Sequence, residues 1–432
     1  MNKSRGFWNR FIILLCSCLM GTFLVSCSGN SKTGSPPSDE EKEEVTITWS
    51  FWGDPWEVEI NNKVKEAFEE KYPHIKVETQ HAPWSNYFDR LQTQWAAGES
   101  PDVMFLTNVP SYASKGVLKD LTGLIEDEGF DVNQFTEAQL KNFEYDGKLY
   151  GLPRDNDTKV FFYNKKLFDE ANLPYPEEGW TWNDLREYAK ALTKEENGKV
   201  VQYGVAFEPA WWRLWVTSNG GEIFDDPVHP TTTTMHEPEA VEAIQFLADL
   251  MNEDKSAPSF DLQRDSSNVS QLFMTGQVAM VFGNHALIPN FMEAEDLEWD
   301  IVGMPRAEGK DPVNVAAGAG YVISENTEHL EEAFLLWSFL LGPEGQEIFT
   351  ESGVLVPGSK EAQNSPVFLD KPYNAQVFID ETANGLNVTP LATQWPEAAQ
   401  TFDSAFEEVW IGQKTAEEAI NGVIPSINEL LE

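Results

Sequence analysis

The sequence predicts an α/β fold built around a parallel sheet. The chain has 432 residues, 41% of them hydrophobic, which is enough to bury a substantial core and to form two domains. Short apolar runs at residues 45–49, 75–77 and 102–106 are typical of strands, and segments with helical periodicity separate them. The order strand, helix, strand, helix, strand is typical of a parallel sheet with crossover helices.

The two helices between these strands are predicted from their apolar faces and their ends. Ile60, Val64 and Phe68 recur at helical spacing, and this helix ends before Pro73 because proline disfavours a helical residue ahead of it. The second helix has a similar apolar face and ends at Gly98, since glycine readily adopts the conformation that terminates a helix.

The remainder of the chain is predicted to be rich in helices. A capping-box-like start at residues 181–184 precedes one helix, and Pro238 opens another. Residues 203–207 and 278–282 are predicted strands between helices. Residues 330–341 form a strongly apolar predicted helix that a Gly-Pro pair ends.

The first residues are typical of an export signal. A basic start is followed by an apolar run at residues 11–25 and then by Cys27. A transmembrane helix would need about 20 apolar residues, and this run is shorter. The Leu-Val-Ser-Cys sequence that ends at Cys27 resembles the bacterial lipobox, in which the cysteine is lipidated after cleavage. We therefore predict a signal peptide at residues 1–26 and an acylated cysteine with a flexible acidic tether at residues 27–44.

Cysteine content and tether length bear on the compartment. The two other cysteines of the chain lie inside the leader, so the mature protein is expected to contain no disulfide. A short tether suits a protein exported and anchored by lipid to the outer face of the cell membrane. We expect a Gram-positive-type surface rather than a periplasm.

Charge and missing motifs exclude several classes of function. Acidic residues outnumber basic ones by 71 to 30, and the formal net charge is −41. Nucleic acids and anionic membrane surfaces require positive patches, so neither is expected as a partner. The chain has no Gly-x-Ser-x-Gly elbow, no His-Glu-x-x-His and no phosphate-binding Gly-Lys-Ser/Thr loop. We therefore predict no catalytic residue, cofactor or metal, although a glycosidase needs only two carboxylates and stays open.

Tryptophan is abundant, with fifteen in the chain. Most are expected in the core, but Trp52, Trp84, Trp211, Trp212 and Trp395 fall at predicted strand ends or in loops. Open α/β sheets bind ligands outside the carboxyl ends of their strands. A flat aromatic face suits the C–H face of a pyranose, so these tryptophans favour carbohydrate binding.

From residue 45 to the C-terminus, the chain resembles the extracellular solute-binding proteins of carbohydrate ABC importers, the maltose-binding-protein-like group. Six ordered blocks carry the resemblance: VKEAF and YPHIKV at 64–77, LQTQWAAGESPDV at 91–103, YGLP at 150–153, YNK at 163–165, WTWNDL at 180–185 and FMTGQVAM at 273–280.

The resemblance implies a two-lobed periplasmic-binding-protein-like fold of type II, with a ligand cleft between the lobes and several hinge crossings. Lobe 1 would comprise residues 45–158 plus 305–352, and lobe 2 residues 159–304 plus 353–432. It also implies a monomer that captures a mono- or oligosaccharide by hinge closure. An ABC permease with its ATPase would then receive the sugar, and the membrane would be contacted only through the lipid anchor.

The resemblance also implies a set of ligand contacts. They are Trp52, Asn108, Asp155, Asp157, Glu208, Trp211, Trp212, Asn284, His285, Gly318 and Trp395. One departure concerns the block that ends at Met280, after which the family often has Gly-Trp. Here Gly283 is followed by Asn284 and His285, so the aromatic platform is either missing or replaced by imidazole. The alternatives to sugar capture are a secreted glycosidase, a receptor for a non-carbohydrate solute, and an adhesin or scaffold lipoprotein.

Overall fold

The structure of the protein is a computed structural model. It describes most of the chain after the predicted leader, in the ranges 43–53, 55–316, 318–351, 353 and 355–432. The predicted signal peptide, Cys27 and nearly all of the predicted tether lie outside these residues. Residues Glu44–Glu432 form one compact unit.

Sixteen strands and nineteen α-helices occur within the described residues. In chain order the strands are β1 (Val45–Trp52), β2 (Ile75–Ala82), β3 (Val103–Leu106), β4 (Glu144–Tyr145), β5 (Lys148–Leu149), β6 (Gly151–Pro153), β7 (Asp155–Asn156), β8 (Val160–Asn164), β9 (Lys194–Glu196), β10 (Lys199–Ala206), β11 (Val278–Gly283), β12 (Trp299–Val302), β13 (Asn314–Val315), β14 (Gly320–Ile323), β15 (Val356–Pro357) and β16 (Gly385–Leu386).

The helices connect and cover these strands. They are α1 (Pro55–Lys71), α2 (Trp84–Ala97), α3 (Val109–Ala113), α4 (Thr122–Asp127), α5 (Glu137–Lys141), α6 (Lys165–Ala171), α7 (Trp182–Leu192), α8 (Trp212–Ser218), α9 (Pro238–Asn252), α10 (Phe260–Gln263), α11 (Ser266–Met274), α12 (Ile288–Glu293), α13 (Leu330–Leu341), α14 (Pro343–Glu351), α15 (Lys360–Gln363), α16 (Pro366–Leu369), α17 (Gln376–Thr382), α18 (Trp395–Trp410) and α19 (Ala416–Leu431). Short 3₁₀ turns lie at Val132–Gln134, Pro209–Trp211 and His285–Leu287.

Two five-stranded sheets organise the two lobes. The first has the order β2-β1-β3-β14-β6, and the second has the order β12-β8-β11-β10-β9. Strands β2, β1 and β3 are parallel, as predicted, whereas β14 runs antiparallel to both of its neighbours. In the second sheet β10 and β11 are parallel to each other. Strand β8 is antiparallel to both β11 and β12, and β9 is antiparallel to β10. Each lobe therefore has a mixed sheet, in which β8 and β14 each follow a crossing and β9 forms a hairpin with β10.

The local signals in the sequence are confirmed for several helices. Thr181 and Asp184 form a complete capping box at the start of α7. Gly98 ends α2 in the left-handed conformation, with φ of 73°. Helix α13 has the predicted bounds, and α9 begins at Pro238 as expected. The first strand is longer than predicted, so Trp52 is its last residue rather than a loop residue.

Alternation along β1 shows how the first core forms. Ile47, Trp49 and Phe51 point to one face of the sheet and are at most 1% exposed. Burying each such side chain contributes about 1.5–3 kcal/mol. Trp337 of α13 covers this face and donates its indole N–H to the carbonyl of Tyr321 at 2.7 Å. The sheet and the helix are thus joined by both apolar packing and a buried hydrogen bond.

The chain passes between the two sheets three times, and buried amides tie the crossings together. In the first crossing β7 pairs with β15 of the third. Asn156 donates its Nδ2 to the carbonyl of Pro357 at 2.8 Å and accepts from Gln139 Nε2 at 2.7 Å. Gln139 also donates to the carbonyl of Gly358 at 3.0 Å. Since both amide side chains are at most 1% exposed, these bonds replace water contacts and fix the crossings to each other.

The second crossing contacts a buried carboxyl group, that of Glu381 on α17. Asn314 exchanges two hydrogen bonds of 2.8 Å with the backbone of Lys159 and donates to Glu381 Oε2 at 2.7 Å. Burial raises the pKa of Glu381 to about 7, although the hydrogen bonds from its neighbours oppose the rise. The side chain of Glu381 therefore titrates near neutral pH.

Glu381 predicts a specific dependence of stability on pH. The pKa of Glu381 is higher in the folded state than its usual value of 4.5. The stabilisation that its bound proton gives is therefore fully present below pH 4.5 and is lost as pH rises through about 7. Between about pH 5 and about pH 8 the wild type should lose on the order of 2–3 kcal/mol more unfolding free energy than Glu381→Gln. Urea denaturation at both pH values measures this. Glu361→Gln, at an exposed carboxylate on α15, should behave like the wild type, and equal pH slopes for Glu381→Gln and the wild type would contradict the assignment.

Candidate functional site

Aromatic side chains gather where β1 ends in the first lobe. The Trp52 indole stacks on Phe105, with ring centroids 4.3 Å apart. The rings of Trp84 and Tyr87 meet it edge to face, with centroids 5.0 Å and 5.2 Å from that of Trp52. Trp52 is half-buried, and Trp84 is 55% exposed. This carboxyl end of the first sheet therefore presents an aromatic wall, in which Trp84 has the most open face.

Asn108 follows β3 at the same edge of the sheet. Its backbone is left-handed, with φ of 49°, which asparagine tolerates better than most residues. Its Oδ1 is buried and has no hydrogen-bond partner within the described residues. A buried oxygen of this kind can accept a hydrogen bond from a ligand hydroxyl.

A buried ion network lies behind this aromatic wall, at the start of the first crossing. Arg154 reaches Glu57 Oε1 at 2.7 Å and Asp155 Oδ2 at 2.6 Å, and its guanidinium lies 4.0 Å from the centre of the Phe105 ring. Burial alone would lower the pKa of Arg154, but the carboxylates of Asp155 and Glu57 outweigh it and raise that pKa. The guanidinium is therefore charged and held on two sides.

Asp155 and Gly318 belong to this hinge framework. The second oxygen of Asp155 accepts the backbone N–H of Ala319 at 3.0 Å, so both carboxylate oxygens have protein partners. A Cβ atom at Gly318 would lie 2.2 Å from Asp155 Oδ1, so only glycine allows the two segments to approach this closely. The structure thus gives both residues contacts within the hinge framework, and their assignment as ligand contacts stays a prediction.

The second lobe contributes a set of polar groups around Asp157. Lys159 Nζ lies 2.8 Å from Asp157 Oδ1, and the Asn284 side-chain amide donates to the same oxygen. Asn284 also caps the following turn by accepting the N–H of Ala286. The structure therefore brings Asp157 and Asn284 together as predicted neighbours, with Lys159 between the carboxylate and the next aromatic ring.

Trp211 lies between two cations. Lys159 Nζ is 3.6 Å from the centre of its ring, and the guanidinium carbon of Arg213 is 4.1 Å from the same centre. Two cations this close on one face would be in contact with each other, so they occupy opposite faces. Trp211 is half-buried, and cation–π attraction holds its indole between the two charges.

Glu208 and His285 are the two remaining polar groups of the predicted set. Burial raises the pKa of Glu208, and the charge of Lys159 partly offsets the rise. Burial lowers the pKa of His285; Arg154 and Lys159 lower it further, and Asp155 and Asp157 act in the opposite direction. His285 Nδ1 is buried and lacks a hydrogen-bond partner within the described residues. The Nδ1 atom of this imidazole can form a hydrogen bond with a ligand hydroxyl.

Trp212 and Trp395 lie in the core of the second lobe. Trp212 is 1% exposed and donates its indole N–H to Asp403 Oδ1 at 2.8 Å. Trp395 is 6% exposed and packs against Trp212 and Phe224. Neither indole offers an open face in this structure, and the assignment of both residues as ligand contacts stays a prediction. The physical reason for the burial of Trp212 is that α8 begins at this residue and turns its side chain towards α18.

The sequence-based set omitted the basic residues of the site. Arg154, Lys159 and Arg213 surround the residues that it named. A signal was available, because bases are scarce in this acid-rich chain and are less expected by chance than carboxylates. Within the described residues, no group of three or more His, Cys, Asp or Glu side chains is arranged to hold a metal ion.

Comparison with known proteins identifies the family. The family model for bacterial extracellular solute-binding proteins matches residues 54–347, and the chain belongs to that family. The resemblance predicted from the sequence is thereby confirmed. Among the helices of the described region, none has the length and apolar character needed to cross a membrane.

Individual relatives cover most of the chain. It is 25% identical to the galactooligosaccharide-binding protein of Bacillus subtilis, over 95% of this chain and 94% of that one. It is 24% identical to a putative binding protein of Brucella abortus, over 81% of this chain and 84% of that one. An ABC substrate-binding protein from Listeria monocytogenes, solved with cycloalternan, superimposes with a TM-score of 0.79 at 30% identity and covers 90% of this chain and 99% of that one. The two-lobed type II fold is confirmed by this superposition.

Proposed function

We propose that the protein captures a mono- or oligosaccharide outside the cell and delivers it to the permease of an ABC importer. The observation that carries the proposal is the pairing of aromatic faces with unsatisfied polar atoms at the sheet ends and the hinge. Trp52 and Trp84 supply flat apolar area, while Asn108 Oδ1 and His285 Nδ1 lack protein partners within the described residues. A sugar-binding site uses both kinds of group, because a pyranose has apolar C–H faces that pack on aromatic rings and a rim of hydroxyl groups that form hydrogen bonds.

The relatives support a carbohydrate as the solute. Those from Bacillus subtilis include proteins named for binding galactooligosaccharide, arabinooligosaccharide and maltodextrin. The superimposed Listeria protein holds a cycloalternan. A relative from Escherichia coli is named for binding sn-glycerol-3-phosphate, so a receptor for a phosphorylated polyol is the second candidate.

We propose that no hydrolysis accompanies binding. A glycosidase needs one carboxyl group as acid and a second as base or nucleophile, both free to face the scissile bond. Both oxygens of Asp155 are bonded within the protein, and Asp157 is held by Lys159 and Asn284. Glu208 alone cannot fill both roles. The family is likewise one of binding proteins.

Hinge closure would couple capture to transport. The aromatic wall belongs to the first lobe, and Trp211, Asn284 and His285 belong to the second. A ligand that contacts both sets binds the closed form more tightly and shifts the population towards it. The closed form is the state that we propose the permease subunits recognise, with the protein acting as a monomer.

Ligand-induced stabilisation tests this function. A panel of neutral and acidic mono- and oligosaccharides should contain at least one member that raises the melting temperature, corresponding to about 2.7 kcal/mol at a hundredfold excess over Kd. Trp211→Ala should weaken that ligand at least tenfold, because it removes the aromatic ring between Lys159 and Arg213. Trp299→Ala is the control: Trp299 is also half-buried and in the second lobe, but it stacks on Tyr373. Release of reducing ends by the wild type would contradict the proposed absence of catalysis.

We also propose that Cys27 anchors the protein by lipid to the outer face of the membrane. A relative from Streptomyces antibioticus, 24% identical over 369 residues, is described as a lipoprotein. Wild type should partition into the detergent phase of a cell extract, and Cys27→Ser should appear in the aqueous phase or in the medium because it cannot be acylated. Cys18→Ser, inside the leader, should partition like the wild type. Equal partitioning of Cys27→Ser and wild type would contradict the anchor.

A further inference from the structure

Arg213 is a cation that the protein itself leaves only partly satisfied. Its Nε donates to Thr389 Oγ1 at 2.8 Å, and its Nη1 donates to the carbonyl of Ala210 at 2.9 Å. Both acceptors are neutral. A guanidinium has five N–H groups, so both hydrogens of Nη2 and one of Nη1 remain available within the described residues.

No carboxylate in the described part of the chain lies within ion-pair distance of this guanidinium. Among the described residues, none of the ion pairs within 4.0 Å includes Arg213. Asp157 and Asp403 interact with Arg213 only by longer-range electrostatic attraction. Asp157 forms an ion pair with Lys159, and Asp403 accepts the indole N–H of Trp212. Burial accordingly lowers the pKa of Arg213.

This arrangement contrasts with the other buried cations around the site. Arg154 has two carboxylates in direct contact, and Lys159 has one. In a chain with 71 acidic residues against 30 basic ones, a half-buried arginine without a carboxylate partner is unexpected. Leaving a buried charge without a partner is costly, and the cost is recovered when a ligand supplies the opposite charge.

Arg213 lies next to Trp211, one of the ligand contacts predicted in the second lobe. Its guanidinium lies over Trp211, whose other face is covered by Lys159. A planar guanidinium with a free edge matches the two oxygens of a carboxylate, which it binds by two parallel hydrogen bonds. One unneutralised charge balances a carboxylate, whereas a phosphate monoester carries nearly twice that charge.

We propose that the solute is an acidic sugar, one that carries a uronic-acid carboxylate, and that Arg213 binds that carboxylate. The proposal rests on the function proposed above and narrows its substrate class. The sugar ring would lie against the aromatic side chains, and the free edge of Arg213 would select for the acid over its neutral counterpart.

Matched ligand pairs test the proposal with the purified protein. Uronate mono-, di- and trisaccharides are each compared by calorimetry with their own carboxyl methyl esters, which keep the ring and remove the charge. At least one acid should bind the wild type at least tenfold more tightly than its ester, and added salt should reduce the difference. Arg213→Gln should abolish the preference, whereas Arg264→Gln should keep it, because Arg264 is exposed and paired with Glu407.

The ratio of acid to ester affinity separates charge recognition from a structural role. If Arg213→Gln weakens acid and ester by the same factor, Arg213 only shapes the loop and the proposal is wrong. If neutral sugars bind and no uronate binds, the proposal of an acidic solute is wrong, whereas the proposed capture of a sugar still holds. Tighter binding of sugar phosphates than of uronates would overturn the carboxylate assignment. If neither neutral nor acidic carbohydrate binds, the proposed function itself fails.

Discussion

The buried contact between Arg154 and its two carboxylates is the interaction on which the rest of the structure depends. Arg154 begins the first crossing, and it joins α1 through Glu57 to the hinge through Asp155. Removing one partner from such a network leaves an uncompensated buried charge, which costs about 3–5 kcal/mol. The same guanidinium lies on Phe105, whose ring also stacks on Trp52. The position of the aromatic wall is therefore set by the ion network behind it.

The hinge extends this framework with buried amides and one close approach. Asn156 and Asn314 link the crossings by hydrogen bonds that water would otherwise make, and Gly318 lets its segment lie against Asp155. A hinge held by directional bonds has a defined axis, so the two lobes can move as rigid bodies about it.

Periodicity and capping signals predicted most elements, because helices such as α7 and α13 are specified by residues close together in the chain. The carboxyl ends of β1 and β3 likewise placed Trp52 and Asn108 at one edge of the first sheet. Contacts between distant residues could not be predicted in this way. Glu57 and Arg154 are 97 residues apart, and no local pattern indicates that they meet. Adjacent tryptophans show the same limit, because Trp211 faces two cations while Trp212, one residue on, starts a helix and points into the core.

A solute that contacts both lobes should draw them together, and an interlobe distance tests this most directly. The three cysteines of the chain lie at or before residue 27, so a form that starts after Cys27 accepts paired labels without background. Spin labels at Asp89→Cys on α2 and Glu187→Cys on α7, both exposed, report one lobe each. Saturation with the stabilising sugar should shift the distance distribution to a new, narrower population. An unchanged distribution with ligand bound would contradict hinge closure as the means of capture.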